Sequence, residues 1–413
     1  MKARQTLRQL PPRSAETAPL DLPVAQGVKS ACGKSALEQV GAREALNALT
    51  YGAYVTDNQR TILFWSDAAA SITGWRADEV VGRSCADGIL IHVNVGGQGL
   101  CTGPQCPLRS ACGMSERIRH PMLLFAQHKQ GHRIPVEVSV APLCDRAGQQ
   151  VGAVEVFRDL THTVEELRRA KIIQDYILHW ELPADERVRF EARCRPEEFV
   201  GGDFHRIQAI GPDRYAIMVA DAMGHGLISA LYTVHLRSAW EESQAELASP
   251  ARFLGRLNQR LHRLAGPEGY FATAVFLVLD VCSGRLLYAV AGHPSPLVFP
   301  KTGPLEVLPG RSPAVGLHDS ATYRESEWKL EPGDQLLLFT DGATELANRQ
   351  GEILGEAGFL HILQNRVGLS LDLAEIERRL IEFAQPSGPQ DDLTLLSVQF
   401  LHGGQAPLTL ECP

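Results

Sequence analysis

Apolar residues change period along this chain, and those changes outline its elements. Leu37, Val40, Ala45, Leu46 and Leu49 fall at helical spacings. Short strand-like runs at 52–56 and 61–65 follow, around an Asp57-Asn58 turn. After helical and loop-rich sequence to about residue 120, strands are predicted at 121–127, 132–143 and 151–158, with turns at 129–131 and 145–148. The pattern describes a small α+β domain over residues 36–161. Residues 1–35 mix Pro11, Pro12, Pro19 and Pro23 with polar residues without a sustained period, so a flexible tail is expected there. Leu160, Val164, Leu167, Ala170, Ile173, Ile177 and Trp180 recur at spacings of three and four. They predict a connector helix over 162–184 with one apolar seam, stopped by Pro183. That seam suits packing on its own domain or a parallel coiled coil between two chains. From 185 to 402 strand-length apolar runs alternate with helical stretches, and 403–413 reads as a tail.

A length of 413 residues implies two or three domains, and 44% hydrophobic with 21% charged residues describes globular ones. The net charge of −8 provides no broad basic footprint, so neither nucleic acid nor anionic lipid is the expected partner. The longest apolar stretch, 271–279, is far short of the ~20 residues that cross a bilayer. The start, Met1-Lys2-Ala3-Arg4-Gln5, is not followed by an apolar export signal. A cytoplasmic protein without a membrane anchor is expected. Nine cysteines scattered over such a chain then read as buried, redox-active or metal-binding thiols rather than bridges.

Candidate chemistry lies in the C-terminal part. Asp203 sits in Val200-Gly201-Gly202-Asp203-Phe204, Asp221 follows the run 215–220, Asp341 follows 335–340, and Asp391-Asp392 precede 393–398. Packing does not need a carboxylate at a strand end, and strands disfavour Asp. Mg²⁺ and Mn²⁺ prefer oxygen ligands, and two such ions can activate water and neutralise a phosphate. Gly201, Gly202, Gly224, Gly226 and Gly342 would let backbone approach metal or phosphate closely.

Two resemblances join these observations. The hairpin with Trp65–Trp75 (WSDAAASITGW), followed by Gly131–Thr161 (GHRIPVEVSVAPLCDRAGQQVGAVEVFRDLT), resembles a PAS sensor domain, with Ser66 where many have Asn. The motifs AKIIQDYILHWELP, FVGGDFHRI, VADAMGHGLISAL, GYFATAVFLVLD, AGHPSPLVF, LLLFTDGATEL and GPQDDLTLLSVQF, in that order, resemble the PPM superfamily of metal-dependent protein phosphatases. The similarity is to the branch of bacterial sporulation and stress-sigma regulators. It implies an α+β multi-domain chain: a PAS domain, a connector helix and an α/β/β/α sandwich phosphatase. It also implies two Mn²⁺ or Mg²⁺ ions, bridged by Asp221, with the Ala222 carbonyl on the first and Asp203, Asp341 and Asp391 completing the second. Asp392 and Gly342 would support them. His205, His225 and His293 are expected to be structural. The implied substrate is a phosphoserine or phosphothreonine protein, on the branch's analogy one of the STAS type, and the implied assembly is a homodimer through the PAS domain and connector.

Gly201-Gly202-Asp203-Phe204 also brushes the diguanylate cyclase signature, but lacks its Glu and is followed by the phosphatase motifs. A silent phosphoprotein-binding scaffold would be marked by a lost Asp, and none is lost. Gly82-Arg83-Ser84-Cys85 departs from the flavin photosensor motif at Ser84 and beyond. The PAS ligand stays open: Cys85, His92, Cys101, Cys106 and Cys112 are candidate ligands for Zn²⁺ or an iron–sulfur cluster, or redox thiols. Separate buried thiols are the alternative.

Overall fold

The structure is a computed structural model, described here for residues 41–401 except 95–96, 102, 104–105, 110–120, 198, 225, 266–268, 365–370 and 386–387. The two tails expected at 1–35 and 403–413 therefore lie outside the described residues. The chain forms two compact units divided after Thr161.

In the first unit, helix α1 (Ala42–Asn47) precedes a five-stranded antiparallel sheet of order β2-β1-β5-β4-β3. Its strands are β1 (Gly52–Asp57), β2 (Ile62–Trp65), β3 (Met122–Gln127), β4 (Arg133–Cys144) and β5 (Gln150–Asp159), close to the runs read from the sequence. Asp57 Oδ1 accepts from the Gln59 and Thr61 amides, which closes the β1–β2 turn. Ser66 caps helix α2 (Asp67–Thr73) by accepting from Ala69 N, and also accepts from Ala53 N on β1, so it ties helix to sheet. Short helix α3 (Ala77–Val80) follows. The core gathers Tyr54, Trp65, Phe157 and the β4 valines around one face.

An acid lies inside that core. Glu155 is 1% exposed, opposite Tyr54 in the β1–β5 register, and Tyr54 hydrogen-bonds to it. Burial pushes its carboxyl up to about 8, whereas burial and then Arg133 pull neighbouring His92 down to about 4. Cys85, Cys106 and Arg60 also face this cluster. The signs of the two shifts oppose. Folded Glu155 keeps a proton that the unfolded chain releases above its ordinary 4.5, so this group removes stability as pH rises towards about 8. Folded His92 refuses a proton that the unfolded chain takes up below 6.5, so it removes stability as pH falls. Between pH 6.5 and 8 Glu155 acts without that opposition. Over that window the first unit should lose stability with a slope approaching ~1.4 kcal/mol per pH unit. Glu155→Gln should flatten the slope in thermal melts.

Helix α4 (Thr161–Leu178) begins at the division and leads into the second unit, which forms two facing five-stranded sheets. One has the order β13-β10-β9-β8-β7 and the other β12-β11-β14-β15-β6. The strands are β6 (Val188–Arg195), β7 (Asp203–Ala209), β8 (Arg214–Ala222), β9 (Ala272–Asp280), β10 (Arg285–Ala291), β11 (Leu297–Phe299), β12 (Glu306–Val307), β13 (Ser326–Lys329), β14 (Gln335–Phe339) and β15 (Leu393–Phe400). Ile217, Val219, Leu277, Leu336, Leu338, Leu396 and Val398 interlock between the sheets. Helices α5 (Leu227–Glu242) and α6 (Pro250–Ala265) cover the outside of the first sheet through Trp240, Phe253 and Phe276. Helices α7 (Gly355–Gln364) and α8 (Leu373–Phe383) cover the second through Phe339, Phe359 and Ile376. These layers are the α/β/β/α sandwich expected. Covered on both faces, β8 and β9 read as long apolar runs instead of alternating ones.

Helix α4 departs from its predicted seam. It ends at Leu178, five residues before Pro183, and its most buried positions are Val164 and Gln174. Ile173 is 60% exposed, beside exposed Ile172 and Tyr176. A polar residue takes the inward position because its amide finds backbone partners, a pairing that apolar spacing cannot register.

Candidate active site

Four elements deliver the acids to one end of the sandwich. Asp203 starts β7 and lies directly opposite Asp221 in the β7–β8 register. Asp341 starts a 3-10 turn, Asp341–Ala343, immediately beyond β14, and Asp391 and Asp392 lead into the adjacent β15. Like charges set opposite one another weaken a sheet, so this placement works against folding stability.

A tight polar lattice holds the acids. Asp392, 5% exposed, accepts from Glu197 N at 2.7 Å and from Gly202 N, and so pins the loop that carries Asp203. Thr340, which the sequence reading passed over, donates its hydroxyl to Asp203 Oδ2 at 2.9 Å and accepts from Thr394 N. Gln174 Nε2 donates to the Gly201 carbonyl at 2.7 Å, and Gly201 N donates back to Gln174 Oε1 at 3.3 Å. Gln174 stands in the motif AKIIQDYILHWELP, which says nothing of its reach to this loop. Two glycines are required by close approach. A Cβ on Gly342 would lie 2.1 Å from the Asp392 carbonyl oxygen, and one on Gly202 would crowd Ser229 and the Ala222 carbonyl.

The electrostatics are those of crowded carboxylates. Burial, then Asp221, holds the Asp203 carboxyl well above its ordinary range. Burial, then Asp341, Asp391, Asp392 and Glu345, pushes Asp221 up to about 8. Burial and Glu345 raise Asp341. Asp203 Oδ1 and Asp341 Oδ1 are buried without a hydrogen-bond partner. Among the described residues no three His, Cys, Asp or Glu side chains form a ready-made ion-holding group, here or in the first unit. The fit to hard divalent cations rests on donor chemistry: all are oxygens, two buried ones lack partners, and mutual repulsion would be relieved by positive charge.

The expected structural histidines have local roles where described. His293 is buried, its Nδ1 2.9 Å from the Thr273 hydroxyl, and burial pulls it down to about 3, so it is neutral. His205 Nδ1 lies 3.3 Å from Cys194 Sγ. His225 is outside the described residues. In the first unit, Cys85 and Cys106 belong to the apolar core, and His92 N donates to Cys101 Sγ. Burial pushes the Cys85 thiol up to about 12 and also raises Cys101, which leaves them as protonated thiols and not nucleophilic thiolates. His92 Nε2 and Glu155 Oε1, 3.7 Å apart, have no hydrogen-bond partner. Cys112 lies outside the described residues.

Comparison with known proteins agrees with this architecture. Residues 211–401 match the family model described as stage II sporulation protein E (SpoIIE), and residues 42–160 match the PAS fold. The chain is 29% identical over 187 residues to phosphoserine phosphatase RsbP of Bacillus subtilis, covering 45% of this chain and 46% of the relative. It is 24% identical over 187 residues to phosphoserine phosphatase RsbU of the same organism, covering 45% and 55%. It thus spans about half the length of the curated relatives it matches. Among solved structures, the SiaA-PP2C domain of Pseudomonas aeruginosa superposes with a TM-score of 0.51 at 27% identity, covering 58% of this chain and 97% of that domain. No helix among the described residues is long and apolar enough to cross a membrane. The SpoIIE match begins after Asp203, whose place in the site comes from its register opposite Asp221. This chain joins a PAS domain at residues 42–160 to a SpoIIE-family domain of PP2C-like fold at residues 211–401.

Proposed function

We propose that this chain is a PAS-regulated, metal-dependent protein phosphatase of the cytoplasm that hydrolyses phosphoserine or phosphothreonine on a protein substrate of the STAS type. The observation that carries this reading is the convergence of half-buried Asp203, Asp221, Asp341 and Asp391, with a buried, partnerless oxygen on two of them. Similarity to two phosphoserine phosphatases supports it. Asp203, Asp221, Asp341 and Asp391, with the Ala222 carbonyl, would hold two Mn²⁺ or Mg²⁺ ions. Such ions, when bound, supply an acidified water and neutralise phosphate charge. The chain's own contribution is positional. Asp392 fixes the loop bearing Asp203, Thr340 orients that carboxylate, and Gly202 leaves the Ala222 carbonyl unobstructed. Full-length protein with Mn²⁺ should release phosphate from a phosphoserine peptide and stop when EDTA is added. A rate indifferent to EDTA would refute the reading.

The same reading assigns regulation to α4. Gln174 links this helix to the loop before Asp203, and Ile172, Ile173 and Tyr176 form an exposed apolar face suited to a second copy of the chain. A coupling of ~1–3 kcal/mol through it would change activity about 5- to 150-fold. The double variant Ile173→Asp, Tyr176→Asp should sediment as a monomer and lose its response to signal. Unchanged mass and response would show that the helix is a tether.

A further inference from the structure

A cavity of about 290 Å³ lies beside the turn that carries Asp341 and takes no part in the chemistry described so far. Leu297, Phe339 and Phe359 form its buried apolar part, while Val307, Arg311 and Leu360 reach its surface. Its lining reaches the turn that carries Asp341. Phe339 lies two residues before Asp341. Thr344, another lining residue, donates both its amide and its hydroxyl to the Asp341 carbonyl, at 2.7 and 2.9 Å. Pro294, also in the lining, follows His293, which hydrogen-bonds to Thr273 opposite Asp221.

Size and lining restrict what could enter. Sites for whole small molecules occupy roughly 300–1,000 Å³, so this cavity, at the small end of that range, has room for a side chain of leucine size. Its deep walls are aliphatic and aromatic, and a charged group there would lose its water without compensation. The exposed Arg311 and Glu356 carry opposite signs at the cavity, so net charge does not select the occupant. A substrate whose phosphoryl group is held by the aspartate cluster must lay its neighbouring residues close by. Three extended residues reach about 10 Å.

We propose that this cavity is the specificity pocket for an apolar side chain within three residues of the phosphoserine. The proposal rests on the phosphatase reading and deepens it: the substrate class becomes phosphoserine proteins with a leucine-sized residue beside the phosphorylated position. Burying such a side chain corresponds to about a 10- to 100-fold gain in kcat/KM.

The test uses the full-length protein with Mn²⁺ and two kinds of probe. p-Nitrophenyl phosphate has no flanking residues. A series of phosphoserine peptides with alanine flanks carries a single leucine, placed in turn at each of the three positions on either side. Leucine at one position should raise kcat/KM at least tenfold, mainly through KM. Val307→Glu and Leu360→Glu should each erase that gain while leaving p-nitrophenyl phosphate turnover within twofold. Val307 is half exposed in a two-residue strand, so its replacement is compatible with folding and decides the matter if Leu360→Glu perturbs both activities. Equal rates for all peptides, or a leucine preference that survives in Val307→Glu, would overturn the pocket. If the unmodified protein hydrolysed neither probe, the phosphatase reading itself would fall, and the pocket assignment with it.

Discussion

Asp221→Asn should lower phosphate release by at least about 100-fold while raising the melting temperature of the metal-free protein. The two effects have one cause. Asp221 is half-buried, with Asp341, Asp391, Asp392 and Glu345 around it, and its carboxyl is pushed up to about 8. A group whose folded pKa exceeds its ordinary 3.8 removes stability as pH rises from that value through about 8. Asparagine has nearly the same shape and no charge to desolvate. At pH 8 the metal-free variant should therefore melt at least about 2–4 °C higher, with a weaker pH dependence. Added Mn²⁺ should raise the wild-type melting temperature and leave the variant's nearly unchanged. A variant that is less stable and inactive would indicate a structural role for Asp221. Selection retains such crowding where function requires it.

Asp392→Ala should be nearly as damaging to activity, by the opposite route. Asp392 does not need to touch a reacting atom; it accepts from the Glu197 and Gly202 amides and so fixes the approach to Asp203. Removing it strands two backbone donors, at roughly 1–3 kcal/mol each. The melting temperature should fall, and the Mn²⁺ concentration for half-maximal activity should rise about 10- to 100-fold. Asp392→Asn should recover part of both, because its one amide oxygen can serve one of the two donors. A variant with wild-type Mn²⁺ dependence would remove Asp392 from the account.

Much of this was legible in the sequence because apolar runs and acids at their ends are local signals. The five strands of the first unit follow its alternation and turns, and the aspartates stood out because strands disfavour them. What stayed hidden depends on partners distant in sequence. Thr340 looks like an ordinary strand-end residue until it is seen donating to Asp203, 137 positions away. Gln174 stands outside the predicted apolar seam, yet is buried because Gly201 satisfies its amide in both directions. Glu155, in a valine-rich strand, gave no sign that its carboxyl would be enclosed beside Tyr54 and His92. The predicted helical seam failed at Ile173 for the same reason: periodicity measures apolarity, whereas burial also follows satisfied hydrogen bonds.

The central claim is that four aspartates from separate strands and turns form one two-ion site. Calorimetric titration of Mn²⁺ into metal-free full-length protein, alongside Asp221→Asn, tests it most directly. The account predicts two ions bound per wild-type chain, with loss of the pair in the variant. Equal Mn²⁺ binding by wild type and Asp221→Asn would contradict it.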